Sequence, residues 1–459
     1  MLRAYRDDTI AAIATPVGEG AIGMVRVSGA DSIAVIGRAF RGGKNLSDVP
    51  SHTVHHGWIV DVGGREIDEV LAAVFRSPHS YTGEDSVEVS CHGGMYVTQQ
   101  VLSAILSAGA RQAEPGEFTK RAFLNGKLDL SQAEAVADLI AAKSESAYRI
   151  SVNQLEGKFS DQIKLLRKEI LDLTSSLELE LDFSEEGIEL VSRSDLIRSL
   201  DKALERITQM ADSYRFGRLS REGAMVAIVG KPNVGKSSLF NALLRESRAI
   251  VTEIPGTTRD SLEETLAING VHFRLNDTAG LRESADQVER EGIERTMKLL
   301  ANADLVLMVI DAAADGLNVG DDIRNQIKND GGKFIVVFNK VDLLVDISRA
   351  YRESGFEHVL VSAKSGLGLK ELREKIWLAG LGSPYAEQSI TVTNERHHGL
   401  LLKAGAALAR ARELVNQGLT SEFIGLETRC ASESLGEIIG EVSSEDTLNN
   451  IFLKFCIGK

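Results

Sequence analysis

The segment Gly230-Lys231-Pro232-Asn233-Val234-Gly235-Lys236-Ser237 constrains this chain more than any other feature. It fits glycine, four residues, then Gly-Lys-Ser, the pattern of a phosphate-binding loop. Such a loop needs a buried strand before it and a helix start behind it. Ahead lies the apolar run Met225-Val226-Ala227-Ile228-Val229, and behind lies Ser238-Leu239-Phe240-Asn241-Ala242-Leu243-Leu244. Glycines let backbone N–H groups close around phosphate oxygens, and the helix N-terminus adds the positive end of its dipole. Asn233, Val234, Gly235, Lys236, Ser237 and Ser238 form the expected cradle. Within it Lys236 is placed to reach the β- and γ-phosphates and Ser237 to ligate Mg²⁺.

Four further elements follow in the order a guanine-nucleotide hydrolase needs. The stretch Thr252-Glu253-Ile254-Pro255-Gly256-Thr257-Thr258 ends in threonine hydroxyls that suit Mg²⁺. Asp277-Thr278-Ala279-Gly280 follows the run Val271-His272-Phe273-Arg274-Leu275; its aspartate can hold a water on Mg²⁺ and the Gly280 N–H can sense a γ-phosphate. Asn339-Lys340-Val341-Asp342 follows the buried run Phe334-Ile335-Val336-Val337-Phe338. The Asp342 carboxylate can accept from guanine N1–H and its 2-amino group, a donor pair adenine lacks, so adenine would leave it unpaired. Ser362-Ala363-Lys364, after His358-Val359-Leu360-Val361, can cover the guanine edge. The phosphate loop and the last three of these elements lie at carboxyl ends of expected strands, where open α/β sheets bind ligands. Residues 219–380 therefore read as a Ras-like GTPase domain. Asn269-Gly270 between two alternating runs reads as the hairpin of an antiparallel edge pair.

Ras-like enzymes place a water-orienting glutamine directly after the Asp-x-x-Gly motif. Leu281 stands there and cannot do that work. Arg282, Glu283 and Glu289 are nearby candidates, although Gln287-Val288-Glu289-Arg290-Glu291 by itself reads as a solvated charged helix face. Arg259 is a weak candidate for an arginine finger. A monovalent cation could replace that charge, with the Asn233 side-chain oxygen and carbonyls of the 252–257 loop as ligands.

The 459 residues suffice for two or three domains. A net charge of −14, from 52 basic and 66 acidic residues, argues against bulk electrostatic binding of nucleic acid but leaves room for a local basic patch. Cys91, Cys430 and Cys456 show neither disulfide framework nor zinc spacing, so a reducing cytoplasm is expected. The start is too polar for a signal peptide, and apolar runs such as Leu305–Ile310 are far shorter than a membrane span.

Residues 1–118 carry short strand-like runs, Thr9–Ile13, Ile22–Val27 and Val70–Phe75, with helical patterns between them, an α+β domain. Ser131-Gln132-Ala133-Glu134 reads as a capping box opening a helix. Leu166, Ile170, Leu173, Leu177 and Leu181 form an amphipathic stripe, and Leu400, Leu401, Ala404, Ala407 and Leu408 resume helix after the GTPase motifs. The economical architecture is an all-α helical domain, residues 119–218 and 381–459, into which the G domain is inserted.

Two further signals are Pro115-Gly116-Glu117-Phe118-Thr119-Lys120-Arg121-Ala122-Phe123-Leu124-Asn125-Gly126-Lys127-Leu128-Asp129-Leu130 and the last five residues, Phe455-Cys456-Ile457-Gly458-Lys459. With one G domain between them, the chain closely resembles the MnmE (TrmE) tRNA-modification GTPase family along its whole length. The resemblance implies a GTPase that acts with the flavoprotein MnmG, in a heterotetramer or larger complex. Together they would add an aminomethyl or carboxymethylaminomethyl group to carbon five of a tRNA wobble uridine. It implies a homodimer, and an N-terminal domain that binds 5-formyltetrahydrofolate or 5,10-methylenetetrahydrofolate and also dimerises. By motif, Arg26, Glu88, Lys127 and Lys459 would contact folate. Asn233, Thr252, Ile254 and Thr257 would ligate K⁺, Ser237 and Thr258 Mg²⁺, and Glu289 would position the attacking water. Cys456 is invited into a catalytic role by the same resemblance. A different reading from the G motifs alone is a ribosome-assembly or RNA-binding switch without modification chemistry; folate binding separates the two.

Overall fold

The computed structural model describes residues 8–182, 192–248, 264–268, 271–277, 303–315, 334–344, 357–381 and 390–459. They sort into two compact units. One gathers Met1–Ala137, Gln154–Asp172 and Ser432–Lys459; the other gathers Asp138–Asn153 and Leu173–Ala431. No helix among the described residues is long and apolar enough to cross a membrane.

The first unit is built on strands β1 (Ile10–Ile13), β2 (Ile22–Ser28), β3 (Phe40–Gly42), β4 (Thr53–Val60), β5 (Glu66–Phe75), β6 (Ser86–His92) and β7 (Arg111–Gln112). The expected runs at Thr9, Ile22 and Val70 correspond to β1, β2 and β5. The sheet order is β3-β4-β5-β6-β2-β1-β7, and only the β1–β7 pair is parallel. Alternation puts Val25, Val27, Val74, Val87 and Val89 on a buried face, where Val35, Ile36, Val101 and Ile105 of the helices Ser32–Ala39 and Met95–Ser107 pack on them. The β2–β6 register sets Arg26 directly opposite Glu88. Near the chain end Leu448, Phe452 and Phe455 pack with Leu130 and Ala133. The Gly116 N–H donates to the Cys456 carbonyl at 3.4 Å.

The helix at 130 starts two residues earlier than the Ser-x-x-Glu pattern suggests, at Leu130–Ala141. Its capping box is Asp129 with Gln132. The Gln132 N–H donates to Asp129 Oδ1 at 3.0 Å and the Asp129 N–H to Gln132 Oε1 at 2.9 Å. Ser131 donates its hydroxyl to Asp129 as well, so the carboxylate wins the cap position.

In the second unit, strands β8 (Ala224–Val229), β9 (Glu264–Ile268), β10 (Val271–Asp277), β11 (Leu305–Asp311), β12 (Phe334–Asn339) and β13 (His358–Leu360) form a sheet ordered β13-β12-β11-β8-β10-β9. All neighbours are parallel except the edge pair β9–β10, which is antiparallel as expected; Asn269 and Gly270 themselves lie outside the described residues. Both faces are buried. Val226, Ile228, Leu307 and Val337 pack on the helices Lys236–Arg248 and Leu369–Leu381, while Val229, Met308, Ile310 and Phe338 fill the other side. The helix Arg193–Asp212 lies on Glu395–Gln417, joining Leu200, Ala203 and Ile207 to Leu401, Ala404 and Leu408.

The first unit also carries a buried ionic cluster. On the helix Glu117–Leu124, Arg121 and Glu117 are only 3% and 2% exposed and lie 3.0 Å apart. Arg121 also pairs with Asp8 at 2.6 Å and Glu84 at 3.2 Å, and Arg111 with Glu117 at 2.7 Å. Burial works to raise the Glu117 carboxyl, but hydrogen bonds from Arg111, the Glu114 N–H and Arg121 outweigh it and hold it below its ordinary value. Asp8 is lowered in the same way, its burial opposed by Arg111 and Arg121. A carboxylate lowered on folding adds stability above its unfolded pKa and loses it as pH falls through the folded value. Arg121→Met should therefore destabilise this unit by about 3 kcal/mol near neutral pH. Trp58 fluorescence in a Trp377→Phe background reads it. The wild-type transition should weaken below about pH 4.5, and the variant should show a flatter acid slope.

Candidate functional site

The second unit brings the phosphate loop and both base-side loops to one edge of its parallel sheet. β8 ends at the loop, and the helix Lys236–Arg248 begins within it. Asn233 takes a left-handed backbone, φ 62°, which asparagine tolerates better than most residues. Gly235 is required twice over. Its φ is +95°, and a Cβ there would lie 2.3 Å from Asn339 Nδ2. Val234 is buried, while Ser237 and Ser238 are exposed at the helix start. Lys236 Nζ donates to the Gly230 and Lys231 carbonyls at 2.8 and 2.9 Å, so the lysine is folded over the loop that phosphate would enter.

Asn339, 2% exposed, is the hub of this edge. Its Nδ2 donates to the Val234 carbonyl at 2.9 Å, and its Oδ1 accepts from the Ala363 N–H at 3.1 Å. One side chain thus ties the phosphate loop to the Ser362-Ala363-Lys364 loop. Ser362 is fully buried and its hydroxyl accepts from the Ser365 N–H at 3.2 Å, shaping that loop; Lys364 is exposed. Asp342 lies exposed in the short helix Val341–Leu343, open to a base. Lys340 donates to the Asn233 carbonyl at 2.8 Å. That contact engages the main-chain oxygen of Asn233 and leaves its exposed side-chain amide to offer an oxygen.

Thr252, Glu253, Ile254, Pro255, Gly256, Thr257, Thr258, Thr278, Ala279, Gly280 and Glu289 lie outside the described residues, as does the side chain of Asp277. The backbone of Asp277 closes β10, in register with Ile228 of β8 beside the phosphate loop. Motif reading overlooked Asp311, at the end of β11. It accepts from Lys340 Nζ at 2.5 Å. The available signal was a carboxylate closing the unbroken apolar run Leu305–Ile310.

The first unit assembles a second candidate site around Arg26. Its Nε donates to Glu88 at 2.9 Å and its Nη1 to the Gly458 carbonyl at 3.4 Å. Its guanidinium lies 5.1 Å from the Tyr81 ring centre and 5.7 Å from that of Phe118. Gly458 has φ +96°, and a Cβ there would lie 2.3 Å from the Ile13 carbonyl, so only glycine lets the tail pass β1 this closely. The Lys459 ammonium is lowered from its ordinary value by burial and by the Arg26 charge. Among the described residues no hydrogen bond or ion pair joins Lys127 to Arg26 or Lys459; it is exposed, its Nζ donating to the Pro78 carbonyl at 3.2 Å on the loop that carries Tyr81. The Cys456 side chain is exposed, and its carbonyl accepts from the Gly116 and Lys459 N–H groups.

Chemically, the sheet edge offers a phosphate cradle with base-side loops, and the Arg26 site offers two neighbouring cations, a carboxylate and aromatic faces. Comparison with known proteins gives the family. A description of the GTP-binding protein TrmE N-terminus matches residues 9–127, and one of the MnmE helical domain matches residues 130–456. A tRNA modification GTPase MnmE of Chlorobium phaeobacteroides is 45% identical over 464 residues, covering 98% of this chain and 97% of that protein. One from Aquifex aeolicus is 47% identical over 455 residues, covering 98% and 100%. The solved G domain of the T. maritima FeoB iron transporter is 30% identical, covering 34% of this chain and 98% of that chain, with a TM-score of 0.25.

Gly235→Ala should weaken GTP binding by about one to two orders of magnitude, from backbone strain and the clash with Asn339, while the helical signal stays. Titration with a fluorescent GTP analogue, alongside circular dichroism, measures it.

Proposed function

The chain belongs to the MnmE tRNA-modification GTPase family, and from that premise we propose a potassium-stimulated homodimer that modifies the tRNA wobble uridine with a MnmG-type flavoprotein. Membership makes it a GTP hydrolase that takes part in tRNA modification. The product would carry an aminomethyl or carboxymethylaminomethyl group at uridine C5, and the cytoplasm is the proposed compartment. The G domain, residues 219–380, would be an insertion in a helical domain of residues 119–218 and 381–459, behind an N-terminal domain of residues 1–118.

The observation that carries the folate half is the tail's approach to β2. Arg26 and Lys459 bring two positive charges together where water is thinned, and Lys459 is depressed as a result. An anion relieves that repulsion, which suits the glutamate tail of 5-formyltetrahydrofolate or 5,10-methylenetetrahydrofolate. Glu88, held by Arg26, can accept from an amino-pterin edge. Lys127 is a further cation for the tail. Bound folate would supply the one-carbon unit; Cys456, exposed in the tail three residues before Lys459, is the proposed thiol of the site.

In the nucleotide half, Lys236 would leave its loop carbonyls for phosphate, and Asp342 would accept from guanine. Ser237 and Thr258 are the proposed Mg²⁺ ligands. Asn233, Thr252, Ile254 and Thr257 are the proposed K⁺ ligands, and the side-chain oxygen of Asn233 fits that part because its carbonyl is engaged by Lys340. Glu289 would position the attacking water in place of the glutamine that Leu281 displaces.

GTP hydrolysis in potassium chloride against sodium chloride, at equal ionic strength, tests the cation half. At least tenfold faster turnover in potassium is expected, about 1.4 kcal/mol of barrier. Equal rates overturn it. Equilibrium binding of 5-formyltetrahydrofolate tests the other half: Lys459→Ala should weaken binding by about tenfold, one charge-assisted contact. Failure of the wild-type protein to bind folate would favour an assembly switch without modification chemistry.

A further inference from the structure

Asp311 closes β11, where every residue from Leu305 to Asp311 is buried. A carboxylate at 9% exposure needs partners. Its Oδ1 accepts from the Ala313 and Ala314 N–H groups at 3.0 and 3.3 Å, and its Oδ2 accepts from Lys340 Nζ at 2.5 Å. Lys340 Nζ then donates onward to the Asn233 carbonyl at 2.8 Å. Both residues joined by this contact have left-handed backbones, φ 64° at Lys340 and 62° at Asn233. Non-glycine residues hold that conformation only where the surroundings enforce it. The carboxylate is lowered from its ordinary value: its burial opposes ionisation, but the Lys340 and backbone hydrogen bonds prevail. It therefore stays charged across the working pH range.

A lysine is a long, flexible point charge. Without a fixed counter-charge, Lys340 would exchange the Asn233 carbonyl for water. Asp311 is that counter-charge, seated on a buried strand end. A second pair from the same segment, Asp315 with Lys231 at 2.9 Å, is 33% and 70% exposed and so is screened.

We propose that Asp311 is a positioning residue for GTP turnover: through Lys340 it fixes the Asn233 carbonyl, and with it the phosphate loop, in the conformation that grips guanine nucleotide. The proposal rests on nucleotide binding at this loop and is independent of potassium and folate.

The test uses the full-length protein, with fluorescent (mant) GDP release by stopped flow and steady-state GTP hydrolysis. Asp311→Asn should release mant-GDP about tenfold faster and raise KM for GTP by a similar factor, the scale of one charge-assisted hydrogen bond, with a smaller change in kcat. Asp315→Asn should stay within about twofold of wild type. Asp311→Glu, which keeps the charge, should recover most of the loss. Should Asp311→Asn fail to fold, Asp311→Ser, neutral but still an acceptor for the Ala313 N–H, carries the same expectation. Wild-type release rate and KM in the neutral variant overturn the proposal. So does a fall in kcat that tracks the folded fraction by circular dichroism at unchanged KM. Wild-type protein that neither binds mant-GDP nor hydrolyses GTP would overturn the nucleotide reading, and the proposal with it.

Discussion

The buried amide of Asn339 holds the nucleotide edge of the parallel sheet together. Its two ends face opposite tasks, a donor to Val234 and an acceptor from Ala363. Only an amide of this length supplies both at once. An ionised aspartate has nothing to donate and a lysine nothing to accept. Losing it would take these bonds from the buried Val234 carbonyl and the half-buried Ala363 N–H, and a buried polar group left without a partner costs more than the bond contributes. The phosphate loop, its left-handed Asn233 and the loop behind Ser362 all take their positions from this one residue and the lysine beside it.

The sequence made the G-domain sheet readable for a simple reason. Parallel strands buried on both faces appear as unbroken apolar runs, and β8, β11 and β12 do so. The phosphate loop follows β8 and Asn339-Lys340-Val341-Asp342 closes β12. Asp311 escaped because Asp-Ala-Ala-Ala-Asp carries no motif; its importance comes from a lysine distant in sequence, which only sheet order brings near. The helix stripe shows another limit. Leu166, Ile170 and Leu177 are buried, but Leu181 is 36% exposed and Thr174 takes a core position at 4%. A threonine can do so because its hydroxyl finds Thr428 at 2.8 Å. Hydrophobic periodicity cannot see a partner of that kind. The capping box slipped for a related reason: Ser131 fits the pattern, yet its hydroxyl is engaged by Asp129 and Ser160, and Asp129 with Gln132 makes the reciprocal pair.

The Arg26 site was legible only through resemblance. Nothing local marks Arg26 and Glu88 as partners, since the β2–β6 register creates the pair. The Gly458 carbonyl that meets Arg26 is 432 residues further along the chain. Resemblance supplied the names of four residues without their physics. The Tyr81 and Phe118 rings around the guanidinium, and the glycine that admits the tail, came from the fold. Lys127 touches the same loop as Tyr81, so it bears on the pocket through that loop as well as through its charge.

The two candidate sites hold their cations in opposite ways. At the sheet edge, the cations are already committed to backbone oxygens and to Asp311, so the loop is shaped before phosphate arrives and binding exchanges one set of partners for another. Such a site gains affinity because its ordering cost is met before the ligand binds. At the tail, Arg26 and Lys459 are left in mutual repulsion, offset only in part by Glu88. Under the proposed folate reading, an anion bound there would relieve that repulsion, and the hold on the C-terminal tail would depend on what is bound. A tail held by the bond from Arg26 to the Gly458 carbonyl, and by a glycine that fits against the Ile13 carbonyl, brings the last residues of the chain onto β1 and β2 without any secondary structure of their own.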